Sequence, residues 1–143
     1  IDLDSVQICD KRNIFLCPVA TLEYLPPELQ HNKDIGKVAL TVACDRFALA
    51  VIFYQILYGL HPFTVTAMDD KVSEIRELIA KGLFPFGKYS HKVKVIPSPH
   101  NKYKILPKEI QSLFRHAFEA NPNARPSAEQ WGMTIFNFIQ KLR

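Results

Sequence analysis

Glycine is scarce in this chain: five residues among 143, at positions 36, 59, 82, 87 and 132, each standing alone. Neither G-x-G-x-x-G nor a P-loop can be written, so no glycine-rich cradle for a nucleotide's phosphates exists here. Cysteine is scarcer still. Cys9, Cys17 and Cys44 are an odd number without a C-x-x-C pair, which argues against a disulfide framework or a zinc knuckle and fits a reducing, cytoplasmic setting. The five histidines, at 31, 61, 91, 100 and 116, show no i, i+4 pair and no nearby cysteine, so their spacing gives a metal cluster little support. A G-x-S-x-G nucleophile elbow is missing as well. The longest apolar run, Phe47 to Leu60, is interrupted by Gln55 and spans 14 residues, against the roughly 20 needed to cross a bilayer. No membrane span is expected.

What is present is a globular composition. Hydrophobic residues make up 48% and charged residues 22%, with ten Phe, five Tyr and one Trp. A chain of this size buries roughly two thirds of its unfolded surface and so offsets its ordering entropy. One domain is expected over 1–143. The chain opens on Ile1 and Asp2 without the basic-then-apolar start of a signal peptide, and it reads as a piece of a longer protein.

Charge is unevenly placed. From Leu78 to Lys108 there are seven lysines (81, 88, 92, 94, 102, 104 and 108) and no acid, whereas the rest of the chain carries 11 bases against 14 acids. Tyr89, His91, His100 and Tyr103 are interleaved with those lysines. Such a stretch could track a phosphate backbone and stack bases; the plainer reading is a solvated lysine-rich loop.

Periodicity then sets the organisation. Ile1 to Ile8 alternate in the manner of a short strand. From Cys9 to Gln30 the apolar residues show no period, and Pro18, Pro26 and Pro27 forbid a continuous helix. Asp45 reads as the N-cap of a helix over 45–60 that is apolar all round its wheel, hence central, and Gly59 with Pro62 ends it. Outer helices are predicted over 70–82, 107–120 and 127–142, the last opened by a capping box of Ser127 and Gln130. The expected fold is mainly α, with helices packed round a buried central one.

Three segments resemble the C-terminal lobe of a protein kinase. Thr21-Leu-Glu-Tyr-Leu-Pro-Pro-Glu28 looks like the end of an activation segment closed by an Ala-Pro-Glu-type triplet; Asp45 to Phe63 is similar to the family's central helix and the turn after it; Asn121-Pro-Asn-Ala-Arg-Pro-Ser127 matches the loop carrying its structural arginine. Three such matches in the right order cover nearly the whole chain. The resemblance makes 1–28 an activation segment and implies that Glu28 pairs with Arg125, 97 positions away. Asp45 would cap its helix and also hold the backbone of the catalytic loop. Thr21 would sit beside the catalytic base, the alternative being a buried hydroxyl satisfied locally. Thr21, Leu22, Glu23 and Tyr24 would dock a protein substrate.

The resemblance also places Asp2 where the family has its metal-binding Asp-Phe-Gly, so Asp2 would be the Mg²⁺ ligand bridging ATP phosphates in the intact parent. Leu3 stands for the Phe and Asp4 for the glycine, where a second carboxylate either assists a metal or caps a turn. Between Val6 and Ala20 there is no Ser, Thr or Tyr, so phosphorylation inside that loop cannot switch it. The Asp-x-Asp variant with Pro-Pro-Glu resembles prokaryotic kinase-like proteins carrying a helix-hairpin-helix tail.

The implied parent is a Ser/Thr-type protein kinase whose N-terminal lobe, glycine-rich loop, lysine and His-Arg-Asp loop precede Ile1. The fragment alone would be inactive and would hold neither Mg²⁺ nor ATP. A pseudokinase scaffold is the alternative, and nucleic-acid contact through 81–108 a third. The face near Ile1 to Leu3, stripped of its partner lobe, is expected to promote homo-oligomers.

Overall fold

A computed structural model describes residues 6–119 and 121–143. Its spine is helix α1 (Val42–Tyr58), with Thr41 at the N-cap and Gly59, at φ 73°, closing the C-terminus through its N–H to Gln55 O at 2.8 Å. The helix therefore starts three residues before Asp45, which lies in its first turn instead of at its cap. There a carboxylate still meets the partial positive charge of the helix N-terminus. Val42-Ala43-Cys44 carries no polar signal of its own, and the extended Thr41 before it stands at the N-cap without a side-chain capping bond.

Residues Cys44, Phe47, Ala50, Val51 and Tyr54 are buried along α1, while Val42, Ile52, Ile56 and Leu57 are exposed. The expectation of burial all round is met on one side only. Against the buried side pack α3 (Lys108–Glu119) and, behind it, α4 (Ala128–Leu142). Helix α4 opens with the predicted box: Ser127 Oγ accepts from Gln130 N at 3.2 Å, and Gln130 Oε1 accepts from Ser127 N at 2.8 Å. Aromatic edges lock the layers. Phe114 meets Trp131 at 4.8 Å between ring centroids, and Phe47 meets Phe118 at 5.7 Å, both edge-on, a geometry the ring quadrupoles favour.

The helix expected over 70–82 is shorter, α2 (Ile75–Ala80). Upstream of it Asp69 Oδ1 accepts from Lys71 N at 3.0 Å and Asp69 O accepts from Val72 N at 2.9 Å. That local turn competes with the helix for the same backbone groups and wins. Two small antiparallel pairs escaped the sequence patterns: β1 (Ile8–Asp10) with β2 (Asn13–Phe15), and β3 (Thr66–Ala67) with β4 (Val93–Val95). Strands of two or three residues are too short to show a period. Of the strand expected over Ile1 to Ile8, residues 1–5 lie outside the described residues, and Ile8 begins β1.

The basic stretch is more than a wet loop. Its 3-10 turn Ser98–Ile105 buries His100 and Tyr103, and Phe86 stacks on Tyr103 at 4.3 Å. His100 Nε2 lies 2.9 Å from Thr64 O and its Nδ1 2.6 Å from the Tyr54 hydroxyl. A carbonyl only accepts, so Nε2 carries the proton and Tyr54 donates to Nδ1. Tyr54→Phe leaves that buried nitrogen without a donor and should cost about 1–3 kcal/mol. Urea unfolding of the variant measures it; an unchanged midpoint would show that this bond does not anchor the stretch.

Candidate functional site

The segment predicted to carry function is a platform of two consecutive 3-10 turns, Leu22–Tyr24 and Pro27–Leu29. Prolines 26 and 27 set this shape, since they cannot donate to a helix and fix φ near the 3-10 range. Its foot is the ion pair. Arg125 Nη1 donates to Glu28 Oε1 and Nη2 to Glu28 Oε2, each at 2.8 Å, the two-pronged geometry that suits guanidinium and carboxylate. Nη1 also donates to Ala43 O at 3.1 Å, in the first turn of α1, and the guanidinium carbon lies 5.4 Å from the centre of the Phe47 ring. Arg46 Nη1 donates in turn to Arg125 O at 3.2 Å. The Arg125 side chain is 3% exposed and that of Glu28 39%. Burial by itself pushes the Glu28 carboxyl up; the Arg125 hydrogen bonds, a backbone bond and the guanidinium charge together outweigh it and leave the pKa lowered.

Two residues that pattern reading passed over hold the platform above this foot. Gln30 is fully buried and its Nε2 donates to Leu22 O at 2.7 Å and Leu25 O at 2.6 Å. His61 Nε2 donates to Glu23 O at 2.9 Å while its Nδ1 accepts from Phe63 N at 3.3 Å. Tyr24 adds a third fastening, its hydroxyl donating to Gln55 Oε1 on α1 at 3.2 Å. The carbonyl groups of Leu22, Glu23 and Leu25 are thus satisfied from below, while the Thr21 and Glu23 side chains are exposed. Neither Gln30 nor His61 sits in a local pattern that could have flagged it. The only sequence hint was a polar residue closing each of two apolar stretches.

Thr21 and Asp45, predicted separately, line one cleft of about 360 Å³ together with Cys17, Ala20, Tyr24 and Leu40. Both are exposed, so Thr21 is not the buried, locally satisfied hydroxyl that was its alternative. Asp2 and Asp4 lie outside the described residues. Among the described residues no group of three or more His, Cys, Asp or Glu side chains could hold a metal ion. Asp2, the residue that would hold Mg²⁺, is not among them. Cys17 and Cys44 are buried and Cys9 is exposed, all as free thiols, and no described helix is long and apolar enough to cross a membrane.

This arrangement has counterparts. Residues 1–136 match the family described as protein kinase domain. The chain belongs to that family. Among curated proteins it is 28% identical over 148 aligned residues to Protein kinase YegI of Escherichia coli O157:H7, covering all of this chain and 23% of that protein. It is 34% identical over 91 residues to Serine/threonine-protein kinase PKZ1 of Phytophthora infestans, covering 63% of this chain and 20% of that one. Ribosomal protein S6 kinase alpha-6 of Homo sapiens matches at 25% over 136 residues, 89% of this chain and 16% of that one. The chain spans less than a quarter of the length of these relatives, and no solved structure gives a significant match. The mainly α fold round α1 is a kinase-like C-terminal lobe, and the bacterial relatives fit the prokaryotic kinase-like group.

Two outcomes follow for the kinase platform. Glu28→Gln removes one charge and leaves the buried guanidinium half satisfied. A fully buried pair would lose about 3–5 kcal/mol; with the carboxylate 39% exposed, a loss of about 2 kcal/mol is expected, read from chemical unfolding. The second outcome concerns acid. Burial holds His61 below the ordinary histidine value of 6.5, against the Glu23 carbonyl bond that raises it. The unfolded chain then takes up the proton first, so the contribution of His61 is present above pH 6.5 and is lost as pH falls toward its folded value. The unfolding midpoint should drop between pH 7 and 5 by less in His61→Gln than in the parent; equal drops would remove His61 from the titration.

Proposed function

We propose that this chain is the C-terminal lobe of a Ser/Thr-type protein kinase whose parent transfers the γ-phosphoryl of Mg·ATP to a protein hydroxyl. The observation that carries this reading is the shared cleft: Thr21 and Asp45, both exposed, line one opening beside the docking platform. In the reading, that opening receives the catalytic loop supplied by the rest of the parent, Asp45 holding the loop's backbone and Thr21 standing beside its base. Asp2, as Mg²⁺ ligand, belongs to the same proposal. Phosphoryl transfer works by positioning and charge neutralisation, and the residues described here contribute positioning alone. The Thr21 to Tyr24 turn, fixed from beneath, presents its side chains to a protein substrate without first having to be ordered. The chain by itself is therefore inactive.

The test uses the full-length protein with radiolabelled ATP and a generic basic protein substrate, followed by phosphoamino-acid analysis. Phosphoserine or phosphothreonine is expected, falling at least tenfold in Asp45→Asn and in Thr21→Val, with no transfer by residues 1–143 alone. Transfer by the 143-residue chain itself, product on tyrosine only, or full activity in both variants would overturn the assignment.

A further inference from the structure

Helix α2 packs against both turns of the platform. Its Arg76, half-buried, donates from Nη2 to the main-chain carbonyl of Gln30, 46 positions earlier. Gln30 closes the Pro27–Leu29 turn with its own N–H on Pro27 O at 3.3 Å, and its side chain runs back to the other turn. There Nε2 donates to Leu22 O and Leu25 O. Two carbonyls can only accept, so the amide has one orientation open to it and spends both of its N–H groups. Arg76 thus fixes the main chain of residue 30, and the side chain of residue 30 fixes the Leu22–Tyr24 turn.

Neither side chain is suited to filling space. Gln30 Oε1 and Arg76 Nε are buried without a partner among the described residues, a desolvation cost that an apolar side chain would not carry. What each one supplies is a donor to a platform carbonyl. Leu78 and Ile79, both buried, sink α2 into the core, so the relay starts from a fixed base. We propose that Arg76 and Gln30 are positioning residues for the protein substrate, through which α2 sets the shape of the Thr21 to Tyr24 docking turn. This role rests on the kinase reading of the platform and deepens it. Without the relay only a fraction of the molecules would hold the turn in its docking shape, and the apparent affinity for substrate would fall by that fraction while the saturated rate stayed the same.

Steady-state kinetics of the full-length protein with ATP and the basic protein substrate test this. In Arg76→Met and in Gln30→Met, KM for the protein substrate should rise roughly fivefold or more, with kcat and KM for ATP changed less than about twofold; a variant that merely loses folded molecules lowers kcat and leaves KM alone. Because both residues act through one clamp, the double variant should lose no more than about twofold beyond Gln30→Met, where independent sites would multiply. Glu77→Gln, beside Arg76 on α2 with its carboxylate 3.9 Å from His31 Nδ1, should keep the parent's values. Hydrogen exchange gives a readout without turnover. The Tyr24 and Leu25 amides, bonded to Thr21 O and Leu22 O at 3.0 and 3.2 Å, should exchange about tenfold faster in both single methionine variants while those of α3 keep their rate. A parent without any transfer would overturn the kinase reading and the docking role with it. An active parent whose variants keep its KM, a Glu77→Gln as impaired as Arg76→Met, multiplying losses in the double variant, or unchanged exchange at Tyr24 and Leu25 would overturn the relay alone.

Discussion

One guanidinium holds this lobe together. Arg125 leaves the loop between α3 and α4 and spends its two terminal nitrogens on the Glu28 carboxylate and the carbonyl of Ala43, over the face of Phe47. Three stretches far apart in sequence meet in that one group: the turn that closes the platform, the first turn of the central helix and the helical pair behind it. A cation 3% exposed is tolerated only because a carboxylate and a carbonyl meet it where it is buried, and the dependence works in reverse too. The platform cannot drift from α1 without stranding a charge in a low-dielectric pocket. The half-exposed carboxylate tempers that cost, since water still reaches one side of it.

Above the tether the physical problem changes from charge to backbone satisfaction. An irregular, proline-interrupted segment has no ladder to pair its carbonyls, and unpaired ones pressed on a core are costly. Gln30 and His61 solve it with side chains. The consequence is functional: a loop pinned through its own main chain keeps its outward side chains free without becoming floppy, which suits a surface that another protein must recognise.

How legible was this in the sequence? The features read correctly have local causes. The Ser127–Gln130 box, the glycine stop at 59 and the amphipathic rows of α3 and α4 are written in residues three or four apart. The tether is not local at all; no pattern links positions 28 and 125, and only likeness to a known family paired them. Asp45 was misplaced as a cap because helix entry at Thr41 is marked by nothing but one β-branched hydroxyl. The ladders β1–β2 and β3–β4 are shorter than any period, and α2 was overdrawn because the Asp69 turn uses residues that would also suit a helix. His61 and His100 acquire their roles from partners 36 to 46 residues away, which no window of sequence contains, and Gln30 from carbonyls 5 and 8 residues back on a segment without a period.

The composition of α1 carries the last step. An all-round apolar helix is stable in water only when every face is covered, and here Ile52, Ile56 and Leu57 are exposed on one side, with Phe136, Ile139 and Leu142 exposed on α4. Polar substitutions at those positions would have cost the observed packing nothing, because the buried residues of α1 are others: Phe47, Ala50, Val51 and Tyr54. A sequence that nevertheless keeps them apolar is written for more contact than the described residues provide. That excess lies on the same helix whose first turn lines the Thr21–Asp45 cleft, so the open apolar face and the open polar cleft are two ends of one surface.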